Sequence, residues 1–516
     1  MKDFYLKPKL FGVARELDRG RLIKDAVAGL IVAVIALPLS IALAIASGVE
    51  PACGIYTAIA AGILVSLLGG SRVQIAGPTA AFATIVAGIV ATQGMDGLFI
   101  ASVMAGLILM LMGVCKLGKL IKFIPMTITT GFTAGIAVTI AIGQIKDFLG
   151  LSYAAGVRPI ETIEKIEANV AAISTFSWQA LLVGAVCLAI LIIYPKIEKR
   201  VPPSLIAVVA GALMVKLIPG LDEGVFTIGE LYDIPMGLPK VPLSEMNFSL
   251  ARVGELLPNA VTIAVLAAIE SLLSCVVADN MVDSKHNPNA ELVGQGVANI
   301  GSVFFGGIPA TGAIARTAAN VKNGGRTPIA GIVHGLVLLL VLLFLMPYAG
   351  LIPMPCIAAI LFVVAYNMSE WRKMKRIITT APITDVIVAL ATFALTVIFD
   401  LVVAIAVGLG LAILFTVKYM LKRTRVTECD APEGEKRFAV TGALHFGCAD
   451  KLEGIDLGTD TRVLTLDLSG GTRIDATASG TLAALKKRCE KAGVTLNIEG
   501  ACGQPLKLIN KTVARA

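Results

Sequence analysis

A series of uncharged apolar runs, each about twenty residues long, most constrains what this chain can fold into. A helix rises ~1.5 Å per residue, so a run of about twenty residues matches the ~30 Å hydrocarbon core of a bilayer. Of the 516 residues, 56% are hydrophobic and 16% are charged, whereas about a quarter of the residues of ordinary globular chains are charged. The sequence therefore predicts a polytopic all-α membrane protein.

The apolar stretches number about fourteen and fall into two sets of seven. They cover residues 25–47, 51–69, 78–92, 97–115, 126–145, 170–194 and 203–218, and then 257–278, 291–305, 311–321, 328–347, 352–367, 383–399 and 401–421. With an odd number of spans in each set, the second set must enter the membrane in the opposite orientation. This predicts 14 transmembrane segments in a domain over 25–424, built as two inverted 7-segment repeats at about 25–219 and 257–424.

The positions of Lys and Arg predict the orientation, because basic residues flanking a span resist translocation. Residues 1–24 are polar and basic and lack the apolar core of a removable signal peptide, so we expect a cytoplasmic amino-terminal segment. We predict a bacterial inner (plasma) membrane protein with both termini cytoplasmic, and the formal net charge of +8 then needs no nucleic-acid partner. The inner loops would hold these basic clusters: Lys116, Lys119 and Lys122; Lys196, Lys199 and Arg200; Arg372, Lys373, Lys375 and Arg376; Lys418, Lys422, Arg423 and Arg425.

Catalysis and metal binding have little support in the sequence. The histidines His286, His334 and His445 are far apart, and HExxH, GxSxG and Walker motifs are absent. The nine cysteines include no CxxC pair, and most fall in or beside apolar runs, which is typical of buried residues in a reducing compartment. We predict no enzyme activity, no metal, no cofactor and no pump driven by ATP.

The composition changes after about residue 425. Residues 437–446, 462–470 and 494–500 have the features of strands, two of them with clear period-two alternation, while 475–492 and 503–513 have the periodicity of helices. The segment 425–516 therefore predicts a small cytoplasmic α/β domain.

Two short apolar segments are candidates for a solute site. About fourteen residues follow Gly77 and about eleven follow Pro309, too few to span, and an extended stretch with Gly and Pro precedes each. Irregular backbone at membrane depth must line a cavity or be covered by protein, because lipid cannot hydrogen-bond it. A helix that begins in mid-membrane points unpaired N–H groups and its positive dipole end at that cavity, which favours a small anion. The alternative is that both prolines only kink continuous helices.

Glu270 lies near the centre of an apolar run, AVLAAIESLLSCVVA. A charge there costs about 2.5 to 3.5 kcal/mol on insertion scales, so such a residue usually faces the protein interior. We expect Glu270, with Ser274 one turn away, to bind a coupling H⁺ or Na⁺; the alternative is a structural ion pair with Arg316. Arg316 itself either sets the positive potential at the site or extends its side chain to the cytoplasm.

Three segments resemble a known family: PACGIYTAIAAGILVSLLGGSRVQIAGPTAAF, GFTAGIAVTIAIGQIKDFLG and TGAIARTAANVKNGGRTPIAGI. They are similar to the sulfate permease (SulP) anion transporters, and the carboxyl-terminal segment resembles a STAS domain. The resemblance implies fourteen segments split into core and gate domains, a homodimer, an elevator mechanism and a cytoplasmic regulator of the STAS domain. It also implies an anion site formed by these residues: Leu39, Leu43, Thr79, Ala80, Ala81, Phe82, Thr311, Gly312, Ala313, Ile314, Ala315 and Arg316.

Departures from the family pattern bear on the substrate. Leu39, Leu43 and Ala315 stand where the family often has glutamine, an aromatic residue and serine. Such a pocket is less polar, and PLSIALAIASG and NMSEW look closest to the bacterial branch that carries C4-dicarboxylates. Uptake of sulfate, another inorganic anion or a dicarboxylate is therefore expected, with bicarbonate transport or a passive anion channel or exchanger as alternatives. Thr477 in the STAS-like segment is a candidate phosphorylation site.

Overall fold

The computed structural model describes residues 6–13, 18–119, 125–157, 159–198, 201–233, 237–239, 249–399 and 401–512. The predicted basic positions Lys122, Lys199 and Arg200 lie outside these ranges. The helices through the membrane part are α1 Lys9–Val13, α2 Arg19–Ala46, α3 Pro51–Leu68, α4 Ala80–Val114, α5 Met126–Leu149, α6 Thr162–Ala171, α7 Trp178–Ile197, α8 Pro203–Leu217, α9 Ile228–Leu231, α10 Leu250–Val282, α11 Pro288–Phe304, α12 Ile314–Lys322, α13 Ile329–Phe344, α14 Met346–Ala349, α15 Met354–Met368, α16 Trp371–Thr380, α17 Ile383–Ile398 and α18 Leu401–Arg423.

Among the described residues, eight helical segments are long and apolar enough to cross a membrane, and three shorter apolar helices accompany them. The prediction of a polytopic helical membrane protein is therefore confirmed. The count of fourteen segments stays a prediction. The predicted stretches 78–92 and 97–115 form the single helical run α4, interrupted at Gly94, whose φ of 70° is a left-handed conformation that glycine adopts readily.

One predicted stretch, 170–194, is divided in the structure. Helix α6 ends at Ala171, and α7 begins at Trp178. Ser177 caps α7 because its hydroxyl accepts a hydrogen bond from the N–H of Ala180 at 3.2 Å and donates one to the carbonyl of Gly224 at 2.8 Å. Local capping chemistry, rather than hydrophobicity, therefore sets this helix boundary.

Small residues let the helices around the site approach one another closely. A side chain on Gly54 of α3 would place Cβ 2.0 Å from the carbonyl oxygen of Ser40 on α2. On α4, a Cβ at Gly106 would lie 2.7 Å from the carbonyl oxygen of Gly296 on α11. Close backbone approach of this kind stabilises membrane helices, which gain little from the hydrophobic effect within lipid. It fixes α2 and α11 against the segments that carry the site.

The chain divides into two compact units, Met1–Leu409 and Gly410–Ala516. The second unit contains a four-stranded sheet in the order β3-β4-β5-β6, in which β3 and β4 are antiparallel and the other neighbours are parallel. Its remaining elements are β3 Arg425–Cys429, β4 Glu435–Leu444, α19 Ala449–Glu453, β5 Val463–Ile474, α20 Ala476–Lys491, β6 Thr495–Glu499 and α21 Gln504–Thr512.

The second unit has an apolar core of its own. Buried leucines of β5 pack with Leu482 and Leu485 of α20. Thr477 is exposed in the first turn of α20, beside Asp475, whose carboxylate accepts the N–H of Ala478 at 2.9 Å and caps the helix. The strands and helices expected between 437 and 513 are present, and β3 was not anticipated because residues 425–429 lack clear alternation of apolar side chains.

Candidate functional site

A two-stranded antiparallel pairing lies between the halves of the membrane unit. Strand β1, Ala76–Gly77, pairs with β2, Thr311–Gly312, so that Ala76 is opposite Gly312 and Gly77 is opposite Thr311. Residues 69–79 and 305–313 are non-helical. The chain breaks at both predicted places, and the alternative of continuous, kinked helices is wrong. Helix α4 begins shortly after β1 and α12 shortly after β2.

The N–H groups of these extended stretches would be costly if left unpaired in a membrane. Side chains from neighbouring helices accept them. The donors and acceptors are Gly70 and Ser71 to Glu291, Ile75 to Thr317, Ile308 to Thr57, Ala310 to Asn299, and Gly312 to Ser271.

Glu270 of α10 lies at the junction of the two broken segments. Its Oε2 accepts a hydrogen bond from the hydroxyl of Thr79 at 2.9 Å and one from the hydroxyl of Thr311 at 2.9 Å. Thr79 immediately precedes α4, and Thr311 lies in β2, two residues before the N-cap position of α12. One carboxylate oxygen therefore connects the starts of both short helices, which sequence spacing alone does not specify.

Ser274 is buried on the same helix, yet its hydroxyl contacts Thr317 of α12 at 3.5 Å. Thr317 in turn accepts the N–H of Ile75 at 3.1 Å. Ser274 therefore supports the extended segment before β1. The described contacts do not join Ser274 to Glu270.

Arg316 is buried, with 1% of its surface exposed. Its Nη2 donates to the hydroxyl of Ser40 at 3.3 Å and to the carbonyl of Pro78 at 3.1 Å. Ion pairs within 4.0 Å among the described residues do not include Glu270 with Arg316, and the guanidinium is not extended to an exposed position. Its Nε and Nη1 are buried donors without a protein partner in the described part of the chain. A cationic group with spare donors thus lies beside the start of α4.

The other predicted site residues divide into buried and accessible positions. Ala80, Ala81 and Phe82 form the buried first turn of α4, and Gly312 and Ala313 are also buried. Ile314 and Ala315 are exposed at the start of α12. On α2, Leu43 is buried and Leu39 is half-buried, but Ser40 supplies the helix's hydrogen bond to Arg316. The sequence prediction named the flanking leucines and missed this serine.

Sequence reasoning also missed the polar side of α11. Glu291 accepts hydrogen bonds from Gly70 N–H at 2.8 Å, Gln74 Nε2 at 2.8 Å and Gln295 Nε2 at 3.0 Å. Asn299 accepts the N–H of Ala310 and donates to its carbonyl, both at 2.9 Å. A signal was present, because Glu291, Gln295 and Asn299 recur every fourth residue and so lie on one face of an otherwise apolar helix.

The arrangement combines three sources of charge. Two helices begin here, and the N–H groups of a first helical turn have no partner within the helix, so each start carries partial positive charge. Arg316 adds a full positive charge, while Glu270 supplies a carboxylate. The described residues contain no group of three or more side chains able to hold a metal ion. The geometry fits binding of an anion beside a cation-binding carboxylate.

The chain was compared with known proteins. The sequence profile of the Sulfate permease family matches residues 22–392. This chain belongs to the sulfate permease family. The family member is 43% identical to "Putative sulfate transporter YvdB" of Bacillus subtilis (strain 168) over 95% of this chain and 93% of the relative. It is 30% identical to "Bicarbonate transporter BicA" of Picosynechococcus sp., over 94% of this chain and 90% of that protein.

A solved structure matches this sulfate permease family member over almost its full length. The murine Solute Carrier 26 family member A9 anion transporter, in its inward-facing state, superposes with a TM-score of 0.87 at 17% identity, over 99% of this chain and 90% of that chain. At that identity the match establishes the fold. Together with the family match, it identifies the chain as a membrane-spanning anion transporter rather than an enzyme.

Proposed function

We propose that the chain is a secondary active transporter that takes up small anions with H⁺ or Na⁺. The observation that carries the proposal is the sharing of Glu270 Oε2 by Thr79 and Thr311, at the point where α4 and α12 begin. The anion would bind near those two helix starts and Arg316. A cation on Glu270 would then neutralise the carboxylate that otherwise repels the anion.

The proposed substrate is a small oxyanion, with sulfate first and bicarbonate second. Relatives named as sulfate and bicarbonate transporters support these two, at 43% and 30% identity. The side chains of Leu39 and Leu43 favour a less polar pocket than strict sulfate selectivity would need. A C4-dicarboxylate such as succinate is therefore the third candidate, supported by sequence resemblance alone.

The decisive variant is Glu270→Gln, measured in proteoliposomes with an inward H⁺ or Na⁺ gradient. Glutamine keeps an oxygen for the Thr79 and Thr311 hydroxyls but cannot bind a cation as a carboxylate does. We expect concentrative uptake to fall at least about tenfold, whereas exchange of internal for external anion persists. Glu167→Gln, which changes an exposed carboxylate on α6, is the matched control. Unchanged concentrative uptake in Glu270→Gln would refute the coupling role.

A second measurement separates the candidate substrates. Uptake of labelled sulfate, bicarbonate and succinate is compared at several pH values with and without Na⁺. Gradient-independent flux of all three would favour the passive channel or exchanger instead. Competition by uracil, with none from the three anions, would contradict the anion site itself and favour an uncharged-solute carrier.

Further parts of the proposal follow from the family resemblance. They are fourteen segments in core and gate domains, an elevator movement of the core, a homodimer in the bacterial inner membrane, cytoplasmic termini, and a carboxyl-terminal STAS domain that meets a cytoplasmic regulator or a kinase at Thr477. Cys502 is exposed in the second unit. In a variant with that cysteine alone, labelling by an impermeant maleimide only after the cytoplasmic side is opened supports the orientation, and labelling of intact cells contradicts it.

A further inference from the structure

Helix α16 has an amphipathic surface that the transport site does not use. Taking Trp371 as the origin and ~100° per residue, Arg372, Lys375 and Arg376 fall within one arc of about 100°. All three side chains are exposed. The apolar residues Met374, Ile377 and Ile378 fall on the opposite side.

The basic arc has little acidic compensation. In the part of the chain that the structure describes, the ion pair on this helix joins Lys373 to Glu370, with Nζ 2.6 Å from Oε1. Arg372 lies over the ring of Trp371, with 5.4 Å between the guanidinium carbon and the ring centroid. A cation stacked in this way keeps its donors free for an external anionic group. The arc therefore presents three positive charges to its surroundings.

The rest of the helix fits a position at the edge of a bilayer. Trp371 Nε1 donates to the hydroxyl of Tyr366 at 3.1 Å, and the two aromatic residues are 44% and 59% exposed. Trp and Tyr are enriched at membrane interfaces. Met374 and Ile377 pack against α17, whereas Ile378 stays 47% exposed. One part of the apolar face is thus attached to the protein, and the part that carries Ile378 remains available to acyl chains.

We propose that the Arg372, Lys375 and Arg376 arc of α16 binds the anionic head groups of phospholipids, with Trp371 and Ile378 in the adjoining interface. A basic, Trp-containing amphipathic helix has the composition of a segment that lies in the membrane plane and binds anionic lipid. Control of topology accounts for the presence of basic residues in a loop, but it acts during insertion and needs no helical arc. Lipid binding, in contrast, persists in the inserted, purified protein.

The chain allows a direct test, because Trp371 is one of only two tryptophans. In a Trp178→Phe background, energy transfer from Trp371 to dansyl-phosphatidylglycerol is divided by transfer to dansyl-phosphatidylcholine, in vesicles that contain both unlabelled lipids. We expect a ratio at least about threefold above one, falling with added salt because surface attraction is screened. The variant R372Q/K375Q/R376Q should bring the ratio close to one.

Two further variants keep the result interpretable. K375Q/R376Q leaves Arg372 on the Trp371 ring, so any direct effect on the fluorophore is removed, and it should still lose most of the preference. K487Q/K491Q/K507Q removes the same charge from exposed lysines of the second unit and should keep it. A parent ratio near one, as expected if an acidic protein surface covers the arc, or a preference retained by both arc variants, would overturn the proposal.

Discussion

The hydroxyls of Thr79 and Thr311 donate hydrogen bonds to the same oxygen of Glu270, each at 2.9 Å. Thr79 belongs to the first half of the membrane unit and Thr311 to the second. Because both donors end on one atom, the two broken segments respond to a single carboxylate. Loss of either donor must therefore alter the acceptor that the other one uses.

Thr79→Val and Thr311→Val should each lower the rate of anion uptake by about tenfold to a hundredfold. A hydrogen bond to a charged group contributes ~1.5–3 kcal/mol, and valine keeps the shape while removing the donor. The double variant should fall by less than the product of the single effects, because the sites share a partner. Initial rates in proteoliposomes measure this, with Thr→Ser at both positions as the retained-donor control. Strictly multiplicative losses would argue against a shared acceptor.

Gly77→Ala and Gly312→Ala should both abolish uptake. A Cβ at Gly77 would lie 2.2 Å from Arg316 Nη1, and one at Gly312 would lie 2.0 Å from Gln74 Nε2. Both contacts are too short for the β1 and β2 pairing to persist unchanged. Gly88→Ala on α4 is the control, since nothing lies within 4 Å of its added methyl group. Full activity in Gly77→Ala, at equal amounts of protein in the membrane, would contradict this geometry.

Thr57→Val should destabilise the protein by ~1–3 kcal/mol, because it leaves the buried N–H of Ile308 without an acceptor. Thr416→Val is a matched control: both hydroxyls donate to the carbonyl four residues earlier at 2.7 Å, but only Thr57 also accepts the N–H of Ile308, at 2.8 Å. Thermal unfolding of both variants in detergent checks the difference. Equal midpoints would show that this N–H has another partner.

Hydrophobic periodicity and the cost of a mid-membrane charge were enough to predict the helical membrane fold, the breaks after Gly77 and Pro309, and the importance of Glu270. These features follow from local composition. The partners of the broken backbone could not be predicted in the same way, because Glu291 contacts Gly70 across 221 residues. Periodicity identifies the polar face of α11, but it does not specify which distant backbone group that face meets.

The direction of a long side chain was equally beyond sequence reasoning. Arg316 was expected either to pair with Glu270 or to extend toward the cytoplasm, and the structure places it against Ser40 and the carbonyl of Pro78. The choice depends on the close approach of α2 and α3 at Gly54, which fixes where Ser40 lies. Tertiary packing therefore decides between options that local patterns leave open.

Arg316→Gln should raise the KM for the anion by about tenfold to a hundredfold and change the maximal rate less. The substitution removes a buried positive charge beside the start of α4, and one charged hydrogen bond accounts for ~1.5–3 kcal/mol of binding. Ser40→Ala should raise KM only a few-fold, since it removes one contact at 3.3 Å while the bond to Pro78 remains. Arg326→Gln provides the comparison, because Arg326 also donates to backbone carbonyls, those of Val321 and Gly325, away from the site. Concentration dependence of initial uptake distinguishes the cases: an unchanged KM in Arg316→Gln, or an equal increase in Arg326→Gln, would remove Arg316 from the anion site.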